Sequence, residues 1–161
     1  GDYTRERVGG ATVVFTTTNG TAALLHAARA ERVLVGSLCN LGAVCDAVAG
    51  EARPVHLLCA GTRDEVTLDD CLPAGAMVER LLSAGRGLVA DDSALLCLRA
   101  WREAASRGDE GVREAMRAGR GGRNLLRLGM DADVDACAHV DSVRCVPEFV
   151  AVRGEIVTLR A

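Results

Sequence analysis

The stretch of this sequence best suited to chemistry is a run of six small polar residues. It consists of Thr16, Thr17, Thr18, Asn19, Gly20 and Thr21. The run follows a β-branched segment, 11–15, that predicts a buried strand, and it precedes an Ala- and Leu-rich segment, 21–30, that predicts a helix. The first N–H groups of a helix lack partners and carry partial positive charge, and hydroxyls donate further hydrogen bonds. Gly20 would permit a positive φ or the close approach of a ligand. The pattern predicts a phosphate- or sulfonate-binding turn, with an ordinary helix cap as the alternative.

Two further groups of residues could contribute to the same site. One group is Cys59, Ala60 and Gly61, at the end of a predicted strand at 55–59 and just after it, and the other is the acidic pair Asp69 and Asp70. Ligands of parallel sheets collect at the carboxyl ends of strands, so the turns after 11–15 and 55–59 are expected to share one edge. Carboxylate oxygens suit Mg²⁺, so the acidic pair predicts a metal site. The alternative for Asp70 is a capping box with Thr67.

The elements around these residues alternate between strands and helices. Predicted strands at 11–15, 32–36 and 55–59 are followed by helices at 21–30, 40–49 and 67–84. Helical spacing then continues through 91–118, with a break at 106–111, and through 125–128 and 131–140, and strands at 144–152 and 155–159 end the chain. This order is typical of parallel strands with crossover helices. We predict one α/β domain over residues 1–161, with a three-layer-like parallel or mixed sheet, crossover helices and a C-terminal β-hairpin.

Composition excludes several classes of function. A net charge of −3 gives no electrostatic reason to expect nucleic acid or an anionic membrane as a partner. All 19 basic residues are arginine, so mechanisms that need a lysine are excluded. Seven cysteines without a Cys-x-x-Cys pair argue against a disulfide framework and a structural zinc site. No apolar run is long enough to span a membrane, and we expect a cytoplasmic protein. The histidines show no ligand spacing, so His26 and His56 are expected to be structural.

The order and spacing of the motifs resemble the 2-phosphosulfolactate phosphatase family over nearly the whole chain. The matching residues are Thr16–Thr21, Val33–Ser37, Cys59–Gly61, Leu68–Asp70 with Ala74-Gly75, Gly122–Leu126, Asp135–Ala138 and Val146-Pro147. The resemblance implies Mg²⁺-dependent hydrolysis of 2-phospho-3-sulfolactate to 3-sulfolactate and phosphate, a step in coenzyme M biosynthesis. It also implies that the substrate contacts the turns at 16–21 and 59–61, with acidic help from Asp69 and Asp70.

Direct attack by water is the expected mechanism, because the sequence has neither a cysteine loop nor an aspartyl-nucleophile motif. Glu65 stands where a Cys-x5-Arg phosphatase loop starting at Cys59 would need arginine, so a cysteine nucleophile is excluded. Mg²⁺, held by Asp69 and Asp70, would polarise the phosphoryl group while Asp69 orients the water. Arg123 is the candidate that would bind an anionic group of this phosphorylated sulfonate and carboxylate substrate.

The sequence also departs from the family in length, because family members have an N-terminal half with its own acidic motif. We therefore expect the chain to be the C-terminal portion of a longer phosphatase, and it could be inactive alone. The alternative function is a non-catalytic, truncated or divergent α/β domain that binds a small anion. Exposed sheet edges tend to pair with another chain, so a homo-oligomer is expected.

Overall fold

The computed structural model describes residues 4–14, 17–63, 65–87, 91–153 and 156–160. Within these ranges the chain is mostly helical. The helices are α1 (Arg5–Val8), α2 (Gly20–Ala27), a 3-10 turn (Leu38–Asn40), α3 (Leu41–Ala49), α4 (Leu68–Ser83), α5 (Asp92–Ala105), α6 (Gly108–Ala118), α7 (Arg120–Arg127) and α8 (Asp131–Ala138). The strands are β1 (Glu148–Arg153) and β2 (Ile156–Arg160). No helix in the described part of the chain is long and apolar enough to cross a membrane.

The predicted three-layer α/β sheet is wrong. In the described ranges the only sheet is the antiparallel pair of β1 and β2, in which Glu148 lies opposite Arg160. Of the predicted crossover strands, 32–36 contributes a single bridge, between Leu34 and Glu148. The segments 11–14 and 55–60 form no ladder, and Phe15 lies outside the described residues.

The physical reason is that an extended segment becomes a strand only when a neighbour pairs with its backbone. Near Leu34, the Val35 N–H donates to the Pro147 carbonyl at 2.8 Å, and the Phe149 N–H donates to the Val33 carbonyl at 2.9 Å. No backbone hydrogen bond joins 55–60 to any other described residue. The local sequence therefore predicted a strand at 55–59, but it could not predict a partner for that strand.

The helices pack around α4, which contacts α3, α5, α6 and α7. Its middle, residues 74–78, is buried on every side, as expected of a helix that is enclosed by other helices. The core of the described residues consists of Leu38, Leu41, Val44, Cys45, Ala76, Met77, Leu81, Trp101, Val112 and Ala138. Since the chain is only 2 % aromatic, close approach of helix backbones replaces large side chains in this core.

The contact between α4 and α5 is the clearest example of that close approach. A Cβ placed on Gly75 would lie 2.0 Å from the Cys97 carbonyl oxygen and 2.8 Å from Cβ of Trp101. Only glycine therefore fits at position 75. The nearby indole Nε1 of Trp101 donates a hydrogen bond to Oε2 of Glu79 at 2.7 Å, and Nε of Arg102 donates to Oε1 of the same carboxylate at 2.8 Å.

Candidate functional site

The threonine-rich turn begins helix α2, and Thr17 provides its cap. The Thr21 N–H donates to Oγ1 of Thr17 at 3.0 Å, whereas Asn19, at the N-cap position, makes no capping bond with its side chain. A Cβ on Gly20 would lie 2.8 Å from Oγ1 of Thr17, and the φ of Gly20 is not positive. Gly20 is therefore needed for the close approach of Thr17. Thr18 is exposed, and Thr16 lies outside the described residues.

A groove separates α2 from the segment that precedes α4. Its volume is about 350 Å³, and it is lined by Asn19, Ala22, Ala23, His26, Leu58, Cys59 and Ala60. The N-cap residue Asn19 and the three α2 residues have the spacing i, i+3, i+4 and i+7, which places them on one helix face. The structure thus brings Asn19, from the predicted turn at 16–21, to the same groove as Cys59 and Ala60, without the parallel sheet that was expected to do so.

The polar side chains that line this groove are an amide, an imidazole and a thiol. His26 is exposed on the groove, so the prediction of a structural role does not match its position. Its i+7 spacing from Asn19 was the signal in the sequence that could have placed both residues on one face. The groove therefore offers hydrogen-bonding groups from Asn19 at one end of α2 and from His26 near the other.

Cys59 does not supply a thiolate to the groove. The residue as a whole is exposed, but its Sγ lies 3.6 Å from the Asp70 carbonyl oxygen. This partial burial, aided by the Asp70 charge, raises the pKa of the thiol to about 11. Since the thiolate is the nucleophilic form, Cys59 is a poor nucleophile near neutral pH.

Asp70 holds the loop after Cys59 against the start of α4. Its Oδ2 accepts a hydrogen bond from the Gly61 N–H at 2.9 Å and another from the Thr67 hydroxyl at 2.6 Å. Gly61 has a φ of +66°, a conformation that favours glycine. Thr67 is the N-cap residue of α4, but its side chain accepts no capping bond. The predicted capping box is therefore replaced by a bond from the Thr67 hydroxyl to the Asp70 carboxylate.

Asp69 contacts a different segment, the start of α7. Its Oδ1 accepts a hydrogen bond from the Gly121 N–H at 3.2 Å. A Cβ on Gly121 would lie 2.5 Å from Oδ2 of Asp69, so the carboxylate fills the space that a side chain would need. Arg120 adds a second connection, since its Nη1 pairs with Glu65 and donates to the Thr62 carbonyl at 3.4 Å.

These contacts do not fit a pair of carboxylates that chelates one Mg²⁺ ion. Asp69 and Asp70 bind groups on two different segments, and Oδ2 of Asp70 already accepts two hydrogen bonds. Among the residues that the structure describes, no three His, Cys, Asp or Glu side chains are placed to hold a metal. Arg123 lies on α7, where it is exposed and donates to the Ala118 carbonyl, and it does not line the groove.

Comparison with known proteins gives consistent matches. A family model described as 2-phosphosulpholactate phosphatase matches residues 1–151. A "Probable 2-phosphosulfolactate phosphatase" from Symbiobacterium thermophilum is 37 % identical over 158 residues, which cover 98 % of this chain and 65 % of the relative. A protein of the same name from Deinococcus radiodurans is 41 % identical over 145 residues, which cover 89 % of this chain and 58 % of the relative. The chain thus spans 58 % to 65 % of the length of these two relatives.

Proposed function

The chain belongs to the 2-phosphosulpholactate phosphatase family, and from this we propose that its groove binds the substrate of a phosphatase acting on 2-phospho-3-sulfolactate. The products would be 3-sulfolactate and inorganic phosphate. The observation that supports this function is the groove itself, where the Asn19 turn and the Cys59-Ala60 loop meet in a chain that matches the family over 151 residues. The relatives carry the name of the same activity.

The two ends of α2 would bind the two ends of the substrate. Asn19 and His26 are seven residues apart, so their Cα atoms lie about 10 Å from each other along the helix axis. The Asn19 amide would donate to the phosphoryl oxygens, assisted by the partial positive charge at the start of α2. The His26 imidazole would donate to the sulfonate or carboxylate end. A small substrate with several anionic groups suits this arrangement.

In the proposed reaction a water oxygen attacks phosphorus, and the P–O bond to sulfolactate breaks. The proton lost by the water balances the proton gained by the sulfolactate oxygen, so no covalent enzyme intermediate is needed. The neutral Cys59 thiol agrees with this course. The groove residues bind and orient the substrate, which lowers the entropic part of the barrier.

The Mg²⁺ requirement implied by the family resemblance stays a prediction and is part of this proposal. When bound, the metal would withdraw charge from the phosphoryl group. Mg²⁺ often enters such sites with the substrate phosphate and keeps several waters. No step above is assigned to it, because the hydrogen bonds of Asp69 and Asp70 do not favour them as its chelating pair.

The test is phosphate release from 2-phospho-3-sulfolactate, with and without Mg²⁺, by this chain and by a chain extended to the family's length. In whichever form is active, Asn19→Ala and His26→Ala are each expected to lower kcat/KM about tenfold, the effect of losing one hydrogen bond to a charged group. Asn124→Ala and His56→Ala change the same residue types at exposed positions outside the groove. Both controls should leave kcat/KM unchanged.

Equal losses in the groove variants and the controls would contradict the groove as the substrate site. Absence of phosphate release from both chain lengths would contradict the phosphatase. If inorganic phosphate still bound and Asn19→Ala weakened that binding, the alternative of a small-anion-binding domain would replace it.

A further inference from the structure

We propose that Asp69 and Asp70 are positioning residues that hold one wall of the groove in place, rather than a chelating magnesium pair. We call the two carboxylates and their partners, Gly61, Thr67 and Gly121, the acidic clasp. The inference rests on the proposed function only in taking the groove as the substrate site. The clasp itself is defined by hydrogen bonds between described residues.

The groove wall formed by Leu58, Cys59 and Ala60 has few internal contacts of its own. No backbone hydrogen bond joins 55–60 to another described residue, and Leu58 is 54 % exposed. The Gly61 N–H, directly after this wall, donates to Asp70 across nine residues of sequence. The Cys59 Sγ also lies 3.6 Å from the carbonyl oxygen of Asp70. Asp70 is therefore the residue on which the position of the wall depends.

Asp69 anchors the same helix start to the rest of the molecule. Its bond to Gly121 connects residues 52 positions apart and joins the start of α4 to that of α7. Consecutive residues of a helix point about 100° apart, and here the two neighbouring carboxylates reach two different segments. The geometry of the acidic clasp is that of a connection between the loop at 59–62, the start of α4 and the start of α7.

The acceptor chemistry makes the proposal testable with isosteric substitutions. Asp70→Asn keeps an oxygen that can accept from the Gly61 N–H and removes the charge that a metal needs. Asp70→Ala removes the acceptor. Thr67→Val removes the hydroxyl that bonds to Asp70 without altering the carboxylate. If Asp70 is a positioning residue, activity should survive Asp70→Asn and fall in Thr67→Val. If Asp70 is a metal ligand, activity should fall in Asp70→Asn and survive Thr67→Val.

The first readout is steady-state kinetics of the active form over a range of Mg²⁺ concentrations. We expect Asp70→Ala to raise the KM for substrate about tenfold and Thr67→Val about threefold, while Asp70→Asn stays near the unsubstituted protein. The Mg²⁺ concentration for half-maximal activity should be unchanged in all three. The proposal would be overturned if Asp70→Asn raised that Mg²⁺ concentration about tenfold while Thr67→Val left the KM unchanged. Glu79→Gln, a stability variant away from the groove, should change none of these constants.

The second readout, amide hydrogen exchange of Gly61 in the 161-residue chain, needs no turnover. Asp70→Ala should increase its rate about tenfold, and Asp70→Asn should restore most of the protection. An unchanged rate in Asp70→Ala would overturn the clasp. If exchange responds as expected while no chain length releases phosphate, the clasp stands and the proposed phosphatase fails.

Discussion

The helical region from α3 to α8 and the segments 11–14 and 55–60, which form no helix or strand, place similarly apolar residues in opposite environments. In the helical region Leu72 and Ala104 are fully buried, whereas Val14 is 79 % exposed and Leu58 54 % exposed. A helix satisfies its backbone hydrogen bonds within itself, so an apolar stripe is enough to bury it. A strand depends on a partner elsewhere in sequence or in another chain. The comparison shows that apolar composition alone does not determine whether a segment is buried.

The largest difference that this comparison predicts is in native-state hydrogen exchange along the chain. Amides in α4 between Met77 and Leu81 should exchange with opening free energies of about 5 kcal/mol or more, close to global unfolding. Amides at 55–60 should exchange with almost no protection, since they lack backbone partners among the described residues. Strong protection at 55–60 would break the comparison. If that protection depended on protein concentration, it would support the predicted homo-oligomer, which stays a prediction.

Gly75→Ala tests the claim that the helical region depends on close backbone approach. The added Cβ would meet the Cys97 carbonyl at 2.0 Å, so α4 and α5 must separate, at a cost of about 3 kcal/mol. Gly50→Ala is the matched control, because a Cβ there meets no atom within 4 Å. Denaturant unfolding of both variants measures the difference. Equal stabilities would show that the contact between α4 and α5 is looser than described.

Much of the helical region could be predicted from sequence because its signals are local. The predicted helix at 40–49 is found at Leu41–Ala49, with Gly50 at its C-cap. The predicted start at Asp91 is confirmed by its carboxylate, which accepts from the Ala94 N–H at 2.8 Å. In both places periodicity and capping residues lie within a few positions of the helix that they define.

The candidate site was only partly predictable, because its decisive contacts are distant in sequence. The meeting of Asn19 with Cys59 and Ala60 at one groove was expected, although the sheet argument behind it is wrong. The roles of Asp69 and Asp70 depend on N–H donors 52 and nine residues away, which no local pattern indicates. The place of His26 on the groove depends on the helical face that it shares with Asn19, and the residue type alone does not indicate that face.

Glu79→Gln tests how much the charge of the Glu79 carboxylate stabilises the helical region, through the pH dependence of unfolding. Hydrogen bonding from Arg102, and secondarily from Trp101, holds the pKa of the Glu79 carboxyl below its ordinary value of 4.5. A carboxyl with a lowered folded-state pKa stabilises the protein above its unfolded pKa, and that stabilisation disappears as pH falls through the folded value. We expect a loss of about 1 kcal/mol at pH 7, limited by solvent screening because the side chain is 37 % exposed.

The difference between Glu79→Gln and the unsubstituted protein should shrink as the pH falls below 4.5, as measured by urea unfolding at several pH values. Glu114→Gln is the control, since Glu114 pairs with Arg107 at the surface and should matter by less than about 0.5 kcal/mol. If the difference in unfolding free energy between Glu79→Gln and the unsubstituted protein did not depend on pH, the stabilisation by Glu79 would come from the shape of its side chain and not from its charge.

Thr17→Val tests the boundary between the two regions, because α2 is helical and yet has no buried residue. The valine keeps the shape of threonine but cannot accept from the Thr21 N–H, so α2 should lose about 1 kcal/mol of local stability. Since α2 contributes no core side chain, the global unfolding free energy should not change, while the Thr21 amide should exchange about fivefold faster. Thr18→Val, at the exposed neighbouring position, controls for the change in residue type. A fall in global stability would place α2 with the cooperative helical region, and the groove would then have one wall as rigid as the core and one that depends on the acidic clasp.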